Sequence, residues 1–144
     1  FENTLQRLLE MGALPVINEN DTVATDEIVI GDNDTLAAIV AQSVRADLLV
    51  LLSDIDGLYT ADPHKSKDAK IIPLVQEMTE AVLALGGGSA SSQGTGGMGT
   101  KLQAAKICMD CGCEMVIANG ADPENLYGIL EGEHIGTRFR RDQL

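Results

Sequence analysis

Ala46-Asp47-Leu48-Leu49-Val50-Leu51-Leu52-Ser53-Asp54 is the stretch that sets the architecture. Its five consecutive apolar residues show no polar alternation, which is the pattern of a strand buried on both faces of a parallel sheet. Ser53 and Asp54 fall at its C-terminal end, the edge where open α/β sheets place ligands. Just upstream, Gly31-Asp32-Asn33-Asp34 opens a helical pattern to about Arg45, with Leu36, Ala37, Ile39, Val40 and Val44 on one face. Acidic residues suit a first helical turn, but two aspartates flanking an asparagine exceed what one cap needs.

The same alternation extends in both directions. Residues 3–11 read as the end of a helix capped by Gly12, and Leu14-Pro15-Val16-Ile17-Asn18 as a buried strand ending in Asn18-Glu19-Asn20-Asp21. Residues 55–70 are rich in turn formers, with Leu58-Tyr59 as a short strand, and Ile71-Ile72 starts another. A helix over about 76–85 ends at Gly86-Gly87-Gly88. A helix over 101–111 precedes a second buried strand, Glu114 to Asn119, then a short helix over 123–130 and a last strand over 136–139. Strand and helix alternating in this way predict an α/β domain, a three-layer αβα sandwich around a mostly parallel sheet.

A second stretch carries chemistry. Gly94-Thr95-Gly96-Gly97-Met98-Gly99-Thr100-Lys101 gives the backbone freedom to turn its N–H groups towards one point, and a helix follows. It lacks the Walker pattern, in which Gly-Lys is followed by Ser or Thr. A lysine at a helix start opposes the dipole, and a polyphosphate between the two resolves the conflict.

A formal charge of −12 repels nucleic-acid backbones and anionic membranes, so neither is expected as a partner. At 3% aromatic residues, the core must be built from Ala, Val, Ile and Leu. Cys108, Cys111 and Cys113 have no fourth ligand nearby and read as buried, reduced thiols, not a zinc site. No signal peptide, membrane span or lipidation signal stands out, which points to the cytoplasm. His64 and His134 sit in polar turns, so no Ser-His-Asp hydrolase is indicated.

Asp54-Ile55-Asp56-Gly57-Leu58-Tyr59-Thr60-Ala61-Asp62-Pro63 resembles the block shared across the amino acid kinase superfamily. Ile17-Asn18-Glu19-Asn20-Asp21, Gly31-Asp32-Asn33-Asp34 and the glycine run through Lys101 together resemble the glutamate 5-kinases, in order and to about Phe139. That resemblance implies ATP-dependent phosphorylation of the γ-carboxylate of glutamate, the first step of proline biosynthesis. It further implies Asp21, Asn33 and Asn18 as glutamate contacts and Asp34 as the aspartate that organises the catalytic lysines. Ser53, Asp54 and the segment Thr95, Gly96, Gly97, Met98, Gly99, Thr100 and Lys101 are then nucleotide contacts, with Lys101 also stabilising the transferring phosphoryl group.

The cofactors implied are ATP and Mg²⁺, the metal riding on the ATP phosphates with no protein metal site. Relatives of this kind assemble as homodimers or tetramers. The resemblance also implies a single, partial kinase domain. Its glutamate-site segment covers about 14–34 and its nucleotide segment about 48–139. The family's first strand and loop, with a second lysine, lie outside these residues, as does the accessory C-terminal domain of some members, so this chain alone is expected to be inactive. Two alternatives share parts of the pattern: an acetylglutamate, uridylate, carbamate or aspartate kinase, and a non-catalytic nucleotide or amino-acid sensor. The paired Asn-Glu-Asn-Asp and Gly-Asp-Asn-Asp motifs argue against the first, and Lys101 together with Asp34 against the second.

Overall fold

The computed structural model describes residues 2–18, 33–87 and 97–141. Its elements are α1 (Glu2–Glu10), α2 (Asn33–Ser43), β1 (Leu48–Ser53), β2 (Leu74–Val75), α3 (Glu80–Ala84), α4 (Met98–Asp110), β3 (Glu114–Asn119), α5 (Asn125–Leu130) and β4 (Thr137–Phe139). The four strands form one sheet in the order β1-β3-β4-β2. β1 runs parallel to β3 and β2 parallel to β4, whereas β3 and β4 are antiparallel. The described sheet is therefore mixed, with the expected parallel pairing in two of its three contacts.

β3 is one of the two interior strands of this sheet. Met115, Val116, Ile117 and Ala118 are all fully buried, because β3 has a neighbour on each side and helices over both faces. On one face Leu51, Met115, Ile117 and Phe139 pack with α2 and α4. On the other, Val116 and Ala118 pack with Ile129 of α5 and with Leu48 and Val50. This gives the three layers. Ala38 and Ala41 of α2 meet Ala104 and Ala105 of α4 in the same buried cluster. Methyl side chains let the two helices lie close together, which is how a chain poor in aromatics fills its core.

Several sequence expectations need correction. The run Leu48–Leu52 is a strand but lies at the edge of the described sheet, with Leu52 45% exposed. The strand expected at Leu14–Asn18 is an irregular segment, with Leu14 at 87% and Val16 at 92% exposure. An apolar β-branched run becomes a strand only when another strand pairs its backbone, and no described strand does so. Leu58-Tyr59 and Ile71-Ile72 reduce to one antiparallel bridge, Tyr59 with Ile71. The helix expected over 76–85 is only Glu80–Ala84, because Thr79 caps it by accepting the Val82 N–H at 3.2 Å.

Thr137 shows how the loops are fastened to the sheet. Its fully buried hydroxyl accepts from Leu58 N at 2.8 Å and donates to Ile72 O at 2.6 Å. Arg138 next to it reaches Glu114 Oε1 at 3.1 Å and Ile129 O at 2.8 Å, tying β4 to β3 and α5. Of the three free cysteines, Cys108 and Cys113 are buried as expected, whereas Cys111, at the C-cap of α4, is exposed. Burial, helped by the neighbouring Cys113 and Cys111, pushes the Cys108 thiol from 9.0 up to about 12. Burial raises Cys113 as well.

Two outcomes follow from this packing. Thr137→Val removes the hydroxyl between Leu58 N and Ile72 O and leaves the buried Leu58 N–H and the part-buried Ile72 carbonyl short of a partner, so urea unfolding should show a loss of about 1–3 kcal/mol. A thiol pKa raised in the folded state gives stability that is complete below the unfolded value of 9.0 and is lost as pH rises towards about 12. Melts taken across that range should fall more steeply for the native chain than for Cys108→Ala.

Candidate functional site

α4 begins where its sequence forces it to. Gly97 at its N-cap has φ 83° and ψ 16°, a left-handed conformation that glycine adopts without penalty, and no side chain caps the helix. Thr100 N and Lys101 N donate to Gly97 O at 3.1 and 3.2 Å, which tightens the first turn. Lys101 is therefore the fourth residue of the helix and not its first. Its side chain turns back towards the N-terminus, as long helical side chains do. Its Nζ comes to 3.8 Å from where a Cβ on Gly97 would stand.

The partner of that ammonium is Asp34, in the first turn of α2. The close packing of α2 on α4 brings Asp34 Oδ2 to 3.0 Å from Lys101 Nζ. The lysine side chain is only 10% exposed and the aspartate 23%, so the pair is largely withdrawn from water. The same oxygen lies 3.0 Å from Thr100 Oγ1. A lysine this dry needs its counter-charge, and an aspartate at a helix N-terminus is favoured by the dipole. Gly99, in the same turn, faces Gly86 just after α3: a Cβ on Gly86 would stand 3.0 Å from Gly99 Cα and 3.0 Å from Leu102 Cδ1.

A second cluster lies where β1 and β3 end. The parallel register sets Ser53 opposite Asn119, and Gly120 N donates to Ser53 O at 2.8 Å. Asn119 Nδ2 donates to Asp56 Oδ1 at 3.0 Å, and the Tyr59 hydroxyl reaches Asp56 Oδ2 at 3.3 Å. Burial first, and then the Asp56 carboxylate, raise the Tyr59 hydroxyl pKa. Ser53 Oγ donates to Asp54 Oδ1 at 3.3 Å. α2 leads into β1, and α4 into β3, by short turns while packing on the sheet. Each helix must then run back along its strand, so both helix N-termini rise at the edge where β1 and β3 end. The two clusters share that edge.

The structure thus brings together Asp34, Thr100 and Lys101 in one group and Ser53 and Asp54 in another, with Gly97, Met98 and Gly99 forming the helix start. Asp21, Thr95 and Gly96 lie outside the described residues. Asn33 opens α2 and, with Pro15 and Ile17, lines a mainly apolar groove of about 330 Å³ against α2 and β1. Asn18 stands exposed beside that groove's wall in sequence. Reading the sequence missed Asn119 and Asp56 as members of the strand-end cluster. The signal was there in part, since Asn119-Gly120 closes a buried strand as Ser53-Asp54 does. Among the described residues no group of three His, Cys, Asp or Glu side chains is placed to hold a metal, and no helix is long and apolar enough to cross a membrane.

Comparison with known proteins supplies the context. Residues 1–119 match the amino acid kinase family. The chain is 57% identical over 136 residues to the glutamate 5-kinase of Caldanaerobacter subterraneus subsp. tengcongensis, covering 94% of this chain and 37% of that protein. It is 58% identical over 138 residues to the glutamate 5-kinase of Carboxydothermus hydrogenoformans, covering 96% and 37%. For the Deinococcus radiodurans glutamate 5-kinase the identity is 55%, over 94% of this chain and 38% of that protein. The chain thus spans a little over a third of the length of these curated relatives. Among solved structures, an isopentenyl phosphate kinase superposes with a TM-score of 0.69 at 26% identity, over 94% of this chain and 49% of the other. The UMP kinase of Bacillus anthracis gives 0.69 at 18% identity, over 99% and 52%, which speaks for the fold alone.

The glycine contact under the first turn of α4 gives a direct test of the packing. Gly86→Ala puts a methyl group against the Gly99 backbone, and such overpacking costs about 1–3 kcal/mol. The urea midpoint should fall by the corresponding amount with an unchanged slope.

Proposed function

The chain belongs to the amino acid kinase family, and from that premise we propose that it forms part of an ATP-dependent kinase acting on the γ-carboxylate of glutamate. The observation that carries this reading is the Lys101–Asp34 pair, 3.0 Å apart at the meeting of two helix N-termini. Its placement fits what the reaction demands. The γ-carboxylate of glutamate has a pKa of about 4.3 and is already a nucleophile at neutral pH, so no general base is needed. What remains is to hold the reactants in line and to neutralise charge on the transferring phosphoryl group.

Lys101 meets the second need with a cation held out of water, where its field is strong. Asp34 serves by holding that cation, since a carboxylate aimed at the substrate would repel both reactants. Backbone N–H groups at the start of α4 receive phosphate oxygens, and Ser53 and Asp54 border the nucleotide. Mg²⁺ supplies further charge neutralisation and travels on the nucleotide's phosphates, in keeping with the few protein ligands it requires. Asn33, with Asp21 and Asn18, reads the polar atoms of glutamate. Asn33 is the first residue of α2, directly beside Asp34, and that placement supports this assignment. The identity to glutamate 5-kinases, 53–58%, favours glutamate over the other acids and phosphates handled by members of this fold.

Two variants of the full-length protein separate chemistry from binding. Lys101→Ala should lower kcat by about 10²–10³-fold, with the KM for glutamate changed far less. An unchanged kcat would take Lys101 out of the mechanism. Asn33→Ala should act mainly on the KM for glutamate, and an effect confined to the KM for ATP would reverse the assignment of the two subsites.

A further inference from the structure

Thr100 was expected from the sequence to contact the nucleotide, but both of its donors are spent inside the protein. Its backbone N–H goes to Gly97 O at 3.1 Å. Its hydroxyl lies 3.0 Å from Asp34 Oδ2 and 2.7 Å from Gly97 O. A hydroxyl has one proton to give. Gly97 O already accepts two N–H groups, from Thr100 and Lys101. The carboxylate carries a full charge and is the stronger acceptor, so it draws the proton.

We propose that Thr100 is a positioning residue: its hydroxyl pins Asp34 Oδ2 and so fixes where Asp34 holds the Lys101 ammonium. The inference rests on the kinase reading above. A lysine is a point charge on a four-carbon stem, and one ion pair to a rotating carboxylate leaves its direction loose. Two donors from adjacent residues of one helical turn, meeting one oxygen at 3.0 Å each, remove that freedom. The hydroxyl has a second use when phosphate arrives. A polyanion pulls the ammonium away from Asp34, and a carboxylate held only by that ammonium would be free to swing after it and repel the phosphoryl group. Thr100 keeps it docked against α4.

The test compares Thr100→Val, Thr100→Ser and Lys101→Ala in the full-length protein, with glutamate and Mg-ATP as substrates. Valine keeps the shape and loses the hydroxyl. We expect kcat to fall about tenfold while both KM values stay within about twofold, the split that marks a transition-state effect. Serine should restore kcat to within about twofold of the parent. In an Asp34→Ala background, Thr100→Val should cause no further loss, because the residue it acts through is gone. If Thr100→Val fails to fold, Thr100→Ala takes its place in the same comparison. An unchanged kcat, a rise confined to the KM for ATP, or full additivity with Asp34→Ala overturns the proposal. Lys101→Ala separates the two levels. If it abolishes turnover while Thr100→Val is silent, only the positioning role falls, whereas if Lys101→Ala also turns over normally, the kinase site itself has been misassigned.

Discussion

An ammonium group held nine-tenths out of water beside two helix N-termini is the constraint on which this site depends. Each feature of that placement is unfavourable for a cation taken alone, since burial strips its hydration and both dipoles oppose it. Asp34 makes it tolerable, being a carboxylate at the kind of position where a negative charge is welcome. The pair does not have to be a source of stability to be retained. A buried ion pair replaced by apolar side chains often loses nothing, whereas removing one partner leaves a stranded charge. What the pair provides is a positive charge with a known position, at an end of the sheet where helix amides also point outward.

The fold delivers that geometry through ordinary packing. α2 and α4 each lead into a strand by a short turn, and β1 and β3 run parallel, so both helices start at the same edge. Alanines at the contact between the helices let them approach closely enough for a short aspartate to reach a lysine on the other helix. Gly86 and Gly99 extend the same economy to α3, whose end rests on the first turn of α4. Small residues are thus concentrated where the site needs two backbones near each other. The large ones, Phe139 and Leu102 among them, fill the core below.

Much of this was legible in the sequence because it is local. The Leu48–Leu52 run, the helix opening at Asn33 and the glycine-led start of α4 each carry their signal within a few residues. The pairing of Lys101 with Asp34 came from a family resemblance, since no spacing rule joins positions 67 apart. The second hydrogen bond to Asp34 was not foreseen, because whether Thr100 faces a nucleotide or its own protein depends on how α2 lies against α4. Asn119 and Asp56, 63 positions apart, were missed for the same reason. The errors at Leu14–Asn18 and at β1 concern pairing: apolar content marks a segment as able to be a strand, but a neighbouring backbone decides whether it is one and whether it lies centrally. The over-long helix at 76–85 is a local miss, since Thr79 was there to be read as a cap.

The net charge of −12 opposes the two anionic substrates proposed for this site, and the resolution lies in distance. At physiological ionic strength, charges farther off than about 8 Å are largely screened when exposed to solvent, so the acidic surface acts weakly at the site. In the proposed site Lys101 and N–H groups at the start of α4 act at contact range and in a drier medium, where each interaction is much stronger. Local arrangement therefore outweighs the total. The same reasoning explains why Asp34 does not cancel the lysine's usefulness. A carboxylate held to one side by Lys101 and Thr100 subtracts little from the field on the far side of the ammonium, but would subtract a great deal if it turned to face the phosphate. The direction of one side chain decides whether the pair attracts an anion or is neutral to it, and that direction is set by the contacts of Asp34 with Lys101 and Thr100.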